Sequence, residues 1–214
     1  MFQDRNEAAL KLAEKLKDYL KNYLKDYKGQ PPLILAIPRG AVPMAKLIAD
    51  KLDGVFDVVL VRKLRAPNYP ELAVGSIDES GWTYIADHAA SVGADSEYIK
   101  AEKQRQMATI QQRRAQYTPV RPPIDPAGRI VIVIDDGLAT GATMISALHG
   151  LRSRNPAKLI CAVPVSPPET LRKVAALADE VVCLVSPDDF RAVGQFYVDF
   201  PQVEDEEVIQ ILRG

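Results

Sequence analysis

The chain has 214 residues, of which 47% are hydrophobic and 26% charged, proportions typical of a folded globular protein and unlike those of a disordered chain. Its 27 basic and 28 acidic residues leave a formal net charge of −1, which argues against a nucleic-acid partner. No apolar run approaches the ~20 residues of a membrane-spanning helix, so we expect no membrane association. Cys161 and Cys183 lie inside apolar runs, as expected for buried free thiols of a cytoplasmic protein.

The first half of the chain predicts a mixture of helices and buried strands. Apolar residues at helical spacing, short continuous apolar runs and turn residues between them define the boundaries. Residues 62–72 carry positive charges and prolines without an apolar period, and we expect a loop there. The remaining predicted elements are a helix at 5–27, a strand at 33–37, a helix at 42–52, a strand at 56–61, a hairpin of strands at 73–77 and 82–85, and a charged helix at 96–117.

In the second half, strands and helices alternate. The predicted elements are a strand at 129–134, a polar turn at 135–142, a helix at 143–153, a strand at 158–163, a helix at 168–178, a strand at 180–185, and an aromatic tail that ends in a short acidic helix. Alternation of this kind is typical of βαβ units with a mostly parallel sheet. We therefore predict a single α/β domain over residues 1–214.

The turn after the strand at 129–134 carries the strongest functional signal. The sequence VIVIDDGLATGAT (residues 131–143) delivers Asp135 and Asp136 at the end of a buried strand, followed by small residues and a helix start. Ligands bind at the carboxyl ends of parallel strands, and backbone N–H groups at a helix start bind phosphate. Paired carboxylates accept hydrogen bonds from vicinal hydroxyls and attract Mg²⁺. A ligand with a ribose diol, a phosphate and a metal ion fits both halves of the turn, whereas simple helix capping leaves the second acid unexplained.

A second turn follows the strand at 33–37. Pro38, Arg39 and Gly40 provide a cation and a residue without a side chain. The planar guanidinium of arginine suits polyanions, and glycine permits close backbone approach. Taken alone, this turn favours an ordinary surface arginine; beside the acidic turn it favours a ligand site.

VIVIDDGLATGAT resembles the phosphoribosyl pyrophosphate (PRPP) binding motif of type I phosphoribosyltransferases. The segments FQDRNEAALKLAEKL, RKLRAPNYPELAVGSID and FRAVGQFYVDF are similar to a bacterial subgroup of that family with no assigned acceptor. The resemblance implies a type I phosphoribosyltransferase-like parallel sheet flanked by helices. It further implies a core at about 30–185, a flexible loop at about 62–85, and a C-terminal hood at about 186–214.

The resemblance also implies roles for individual residues. Asp135 and Asp136 would hold the ribose hydroxyls and Mg²⁺, directly or through water, and Arg39 and Lys63 would act with them in catalysis. The implied PRPP contacts are Arg39, Gly40, Lys63, Arg65, Asp135, Asp136, Ala139, Thr140, Gly141, Ala142 and Thr143. Phe190, Phe196 and Tyr197 would help to bind a flat acceptor.

The implied activity is Mg²⁺-dependent transfer of phosphoribosyl from PRPP to a small nitrogenous acceptor. Ala139 stands where the related 6-oxopurine transferases carry an acid, so the acceptors that stay open are adenine-type bases, pyrimidines and compounds that are not nucleobases. A homodimer also stays open. The alternative is a non-catalytic regulator that senses PRPP or a nucleotide on the same fold. The charged run Lys100, Lys103, Arg105, Arg113 and Arg114 is expected to form a solvated helix face, with RNA contact or an oligomer interface as the alternatives.

Overall fold

The structure is a computed structural model that describes residues 1–21, 30–117, 119–120 and 123–213. Eight strands and six α-helices are defined among them, with short 3₁₀ turns at Ala90–Val92 and Val193–Phe196. In chain order they are α1 (Arg5–Leu20), β1 (Leu33–Ala36), α2 (Ala41–Lys51), β2 (Val55–Val58), β3 (Val61–Ala66), β4 (Tyr69–Asp78), β5 (Thr83–Ile85), α3 (Ser96–Tyr117), β6 (Ile130–Ile134), α4 (Ala142–Arg152), β7 (Lys158–Val165), α5 (Pro168–Ala175), β8 (Glu180–Val185) and α6 (Asp205–Arg213).

A five-stranded parallel sheet in the order β2-β1-β6-β7-β8 forms the centre, which confirms the predicted sheet. Alternate residues of its strands pack on opposite faces. Ile132 and Ile134 pack with the apolar residues of α1 and α2, and Val131 and Val133 pack with those of α4. Burial of one such side chain contributes about 1.5–3 kcal/mol. Because Ala36 lies opposite Ile134, β1 and β6 end side by side, and the turns that follow them meet at one edge.

A second, antiparallel sheet of β3, β4 and β5 corrects one prediction. Residues 62–72 are not an irregular loop, because β3 ends at Ala66 and β4 begins at Tyr69. The basic residues that suggested a loop alternate with apolar ones: Lys63 is exposed and Leu64 buried, then Arg65 exposed and Ala66 buried. This is the period of a half-buried strand. The predicted hairpin between β4 and β5 is confirmed.

The chain termini pack together beside the edge where β1 and β6 end. Helix α1 begins as predicted, with the side chain of Asp4 accepting a hydrogen bond from Glu7 N–H (2.8 Å). The part of this helix predicted at 22–27 lies outside the described residues. Phe2 N–H donates to Phe196 O (2.7 Å), and Val198 N–H donates to Phe2 O (2.9 Å), so the C-terminal tail is tied to the N-terminus.

Three further predictions concern single features. Both cysteines are free; Cys161 is buried, and Cys183 is partly exposed. Among the described residues, no helix has the length and hydropathy needed to cross a membrane. The solvated-face prediction for α3 is wrong in part, because Arg114 pairs with Glu79 (2.8 Å) and the guanidinium of Arg113 reaches Asp205 (4.0 Å).

Candidate functional site

The turns after β1 and β6 enclose a cavity of about 280 Å³. It is lined by residues 37–40, Lys63, 135–143 and Val193. Every residue that the sequence assigned to PRPP therefore lies at this cavity, except Arg65. The Arg65 side chain is exposed, and its backbone is fastened to α3 by Glu102 and by the hydroxyl of Tyr98.

The turn after β6 is held by contacts to neighbouring elements. Leu138 N–H donates to Val165 O (2.9 Å), and the hydroxyl of Thr170 donates to Ala139 O (2.6 Å). Gly141, at φ 77°, adopts the left-handed conformation that favours glycine and directs the chain into α4. Gly141, the N-cap residue, has no side chain to cap α4, and the Ala142 N–H makes only a long hydrogen bond to the Thr140 hydroxyl oxygen (3.5 Å). The N–H groups of this first turn are therefore suited to an anionic ligand.

The two acids at the start of this turn have different partners. Asp135 Oδ1 accepts a hydrogen bond from the Asp136 N–H (2.9 Å). Asp136 Oδ2 accepts two hydrogen bonds from Arg5, from Nε at 3.0 Å and from Nη2 at 2.9 Å. The Asp136 backbone carbonyl accepts a hydrogen bond from the Tyr197 hydroxyl (2.7 Å). The first helix and the C-terminal tail thus both support the diacid.

Burial shifts the ionisation of both acids. Burial, and then the charge of Asp136, raises the pKa of Asp135 well above its usual range. Burial also raises the pKa of Asp136, against the opposing effect of the Arg5 guanidinium, and Lys63 lowers the pKa of both acids. Arg5 and Lys63 therefore favour the charged form of the two acids, against the larger effect of burial.

The second turn approaches the first very closely. The Pro38–Arg39 peptide bond is cis, and Gly40 follows with φ −56° and ψ −32°, a conformation open to any residue. A Cβ on Gly40 would nevertheless overlap Asp136 Oδ2 and lie 3.1 Å from Arg5 Nη2. Glycine is required here because the Asp136 carboxylate leaves no room for a side chain. The sequence suggested that this glycine makes room for a ligand, and the structure shows that it also makes room for Asp136.

Arg39 lines the cavity but points one of its donors towards α6. Its Nη1 lies 3.0 Å from Glu204 Oε2 and 3.9 Å from Asp205 Oδ2. Asp205 is the first residue of α6, the short acidic helix that the sequence predicted, and Glu204 directly precedes it. An anion that binds Arg39 therefore competes with Glu204.

Comparison with known proteins shows the family of the chain. The family model for the phosphoribosyl transferase domain matches residues 3–201. The chain belongs to this family. Two Mycobacterium tuberculosis proteins, from strains CDC 1551 and H37Rv, each named a putative phosphoribosyl transferase, are 37% identical to it over 213 residues. The match covers 99% of this chain but 46% of theirs, so the chain spans about half the length of these relatives. The crystal structure of TT1426 from Thermus thermophilus is 40% identical and superposes with a TM-score of 0.80, covering 99% of this chain and 97% of that one.

A second cavity of this phosphoribosyl transferase domain, about 530 Å³, adjoins the first at Ala139, Thr140 and Ala142. It lies between the β4–β5 hairpin, the start of α5 and the C-terminal tail, and Phe190 lines it. The Phe190 ring stacks on Phe196 (centroids 5.3 Å apart). Tyr197 does not support the expected acceptor role, because it is buried between Phe2 and Phe200 and binds the Asp136 carbonyl.

The donor set fits a magnesium ion that arrives with a phosphorylated substrate. Asp135 and Asp136 line the cavity, and among the described residues no group of three or more His, Cys, Asp or Glu side chains is placed to hold a metal ion. Mg²⁺ keeps several waters and is commonly held by one or two carboxylates together with substrate phosphates. Two carboxylates beside the start of a helix, whose first N–H groups suit a phosphate, meet that requirement.

Sequence reasoning missed Arg5 and Glu204 as residues of this site. The signal for Arg5 was present, since residues 5, 8, 9, 12 and 16 share one face of α1, and the others on that face are apolar. A charged side chain on a buried stripe requires a partner. For Glu204 we find no local signal, because its partner is far away in the sequence.

Proposed function

We propose that this domain transfers the phosphoribosyl group of PRPP to a nitrogenous acceptor and releases pyrophosphate. One observation carries the proposal: a single cavity brings together a diacid, the start of a helix whose N-cap residue is glycine, and the cations Arg39 and Lys63. These three features match the hydroxyls, the 5-phosphate and the pyrophosphate of one molecule. The family to which the chain belongs supports the same substrate.

Each part of the substrate then has a proposed partner. Asp135 and Asp136 accept hydrogen bonds from the ribose 2- and 3-hydroxyls. The N–H groups of residues 139–143, with the hydroxyls of Thr140 and Thr143, bind the 5-phosphate. Arg39, Gly40 and Lys63 bind the pyrophosphate. Asp135 and Asp136 would hold Mg²⁺, directly or through water, and the ion would supply positive charge for the leaving group.

In the proposed reaction the acceptor nitrogen bonds to C1 of the ribose as the bond from C1 to the pyrophosphate oxygen breaks. The bonding electrons leave with pyrophosphate, and the proton of the nitrogen passes to the released pyrophosphate. Arg39 and Lys63 stabilise the negative charge that gathers on the leaving group. The diacid and the anion-binding turn hold the sugar in a fixed orientation towards the acceptor. We propose that the β3–β4 hairpin, which carries Lys63, closes over pyrophosphate and excludes water.

The acceptor site is proposed in the second cavity, where Phe190, supported by Phe196, offers an aromatic surface beside Ala139. Ala139 has no group that could exchange a proton with a 6-oxopurine. We therefore propose a nucleobase other than hypoxanthine or guanine.

A screen of pyrophosphate release tests the proposal. Wild-type protein, PRPP and Mg²⁺ are incubated with purines, pyrimidines and simple amines, with Asp135→Asn as the inactive control. We expect the wild-type protein to release pyrophosphate with one class of acceptor, and we expect no release from Asp135→Asn with the same acceptors. Tight PRPP binding without release for any acceptor would overturn the transferase and favour the sensing regulator. Release with hypoxanthine or guanine would overturn the acceptor class.

A further inference from the structure

Arg5 is a charged residue in the otherwise apolar buried stripe of α1, and only 9% of its surface is exposed. Each of the three nitrogens of its guanidinium donates one hydrogen bond. Nε and Nη2 bind Asp136 Oδ2, and Nη1 donates to the Pro201 carbonyl (2.6 Å). The guanidinium carbon lies 3.8 Å from the centre of the Phe200 ring. Four contacts thus fix this side chain to the tail on one side and to the diacid on the other.

The contacts around Arg5 also limit where the Asp136 carboxylate can go. Gly40 lies against Asp136 Oδ2, and Tyr197 holds the Asp136 carbonyl. Both hydrogen bonds from Arg5 reach the same oxygen, Oδ2, so Oδ1 is not engaged by Arg5. Two donors of one planar guanidinium fix the position of Oδ2, so the carboxylate loses part of its freedom to move before any ligand arrives.

We propose that Arg5 is a positioning residue, which orients the Asp136 carboxylate to accept a hydrogen bond from a ribose hydroxyl. This inference rests on the proposed function, because it assumes that the sugar diol lies at Asp136. Its physical basis is preorganisation: a ligand that meets a fixed acceptor does not have to immobilise it. Arg5 also supplies the positive charge that lets the second acid lie close to a phosphate site.

A purely structural role is the competing explanation, in which Arg5 only satisfies a partly buried carboxylate and docks α1. The two roles differ in what they do to ligand selectivity. A docking defect would weaken every ligand of the cavity to the same extent. A positioning defect would weaken ligands that carry the diol more than ligands that lack it.

The experiment compares the affinities of ribose 5-phosphate and 2,3-dideoxyribose 5-phosphate by calorimetry. We expect the wild-type protein to prefer ribose 5-phosphate. In Arg5→Gln this preference should fall about tenfold, the effect of one charge-assisted hydrogen bond. Arg5→Lys keeps the charge but cannot donate two hydrogen bonds from one plane. In this variant the preference for ribose 5-phosphate should fall by less than in Arg5→Gln. The matched control is Lys11→Gln, which removes a positive charge from α1 at a residue paired with Glu7, away from the diacid, and should leave the preference unchanged.

Each outcome has a defined meaning. An unchanged preference in Arg5→Gln, or equal weakening of both sugars, would overturn the positioning role and leave the proposed function intact. If Arg5→Gln does not fold, Arg5→Lys decides the question by the same ratio. A wild-type protein that does not distinguish the two sugars would overturn the diol assignment of the proposed function, and the role of Arg5 with it.

Discussion

The close approach of Gly40 to Asp136 predicts that Gly40→Ala disrupts the site. The backbone of Gly40 suits alanine, so a free surface position would gain about 0.4–1 kcal/mol from the lost flexibility of the unfolded chain. Here the new Cβ overlaps Asp136 Oδ2, and the carboxylate must leave Arg5. Overpacking costs about 1–3 kcal/mol, and weakened bonds between charged groups cost about 1.5–3 kcal/mol.

We therefore expect the free energy of unfolding to fall by roughly 2–5 kcal/mol. At about 2–4 °C per kcal/mol for a chain of this size, the melting temperature should fall by roughly 4–20 °C, and affinity for PRPP should be lost with it. The control is a double-mutant cycle with Asp136→Ala, which removes the overlapping atom. In the Asp136→Ala background, Gly40→Ala should lower the free energy of unfolding far less than it does in the wild-type protein. An equal cost in both backgrounds, or a wild-type melting temperature in Gly40→Ala, would refute the steric argument.

Two further predictions follow from the charges around the cavity. Glu204→Gln releases Arg39 from an exposed ion pair worth about 0.2–1 kcal/mol, so pyrophosphate should bind roughly 1.5–5 times more tightly; unchanged affinity in a pyrophosphate titration would show that Glu204 does not compete. Burial, and then Asp136, raises the pKa of Asp135, so the folded protein keeps a proton that the unfolded chain releases. The stability from this proton is present at low pH and is lost as pH rises through the folded pKa. Asp135→Asn should therefore raise the urea midpoint of the ligand-free protein at neutral pH. In the wild-type protein the urea midpoint should decrease as pH rises above the usual aspartate range, and in Asp135→Asn this decrease should be smaller. An unchanged midpoint across that range would contradict the shift.

The central sheet and the diacid turn could be predicted from sequence because their signals are local. The apolar run at 131–134 marks a strand buried on both faces, and Asp135 must then lie at its carboxyl end. The sheet edge brings this turn beside Arg39, because β1 and β6 are neighbours in a parallel sheet. Local pattern and general topology together were enough to place both halves of the cavity.

Other features could not be predicted because they depend on distant contacts. Arg5 and Asp136 are 131 positions apart, and only the packing of α1 and the tail joins them. Tyr197 has the same amphipathic character whether it binds an acceptor or supports the turn, and only burial against Phe2 and Phe200 distinguishes the two. The strand β3 was missed because the charge of its basic residues outweighed their alternation with Leu64 and Ala66.

The central claim is that PRPP with Mg²⁺ binds to residues 135–143, and a thermal melt with and without this ligand tests it most directly. At about 100 times its dissociation constant, a ligand adds about 2.7 kcal/mol to the stability of the folded state. This corresponds to a rise of roughly 5–11 °C in melting temperature for a chain of this size. We expect that rise in the wild-type protein and a much smaller one in Asp135→Asn and Asp136→Asn. A wild-type melting temperature that does not change with PRPP and Mg²⁺, or an equal rise in all three proteins, would contradict the claim.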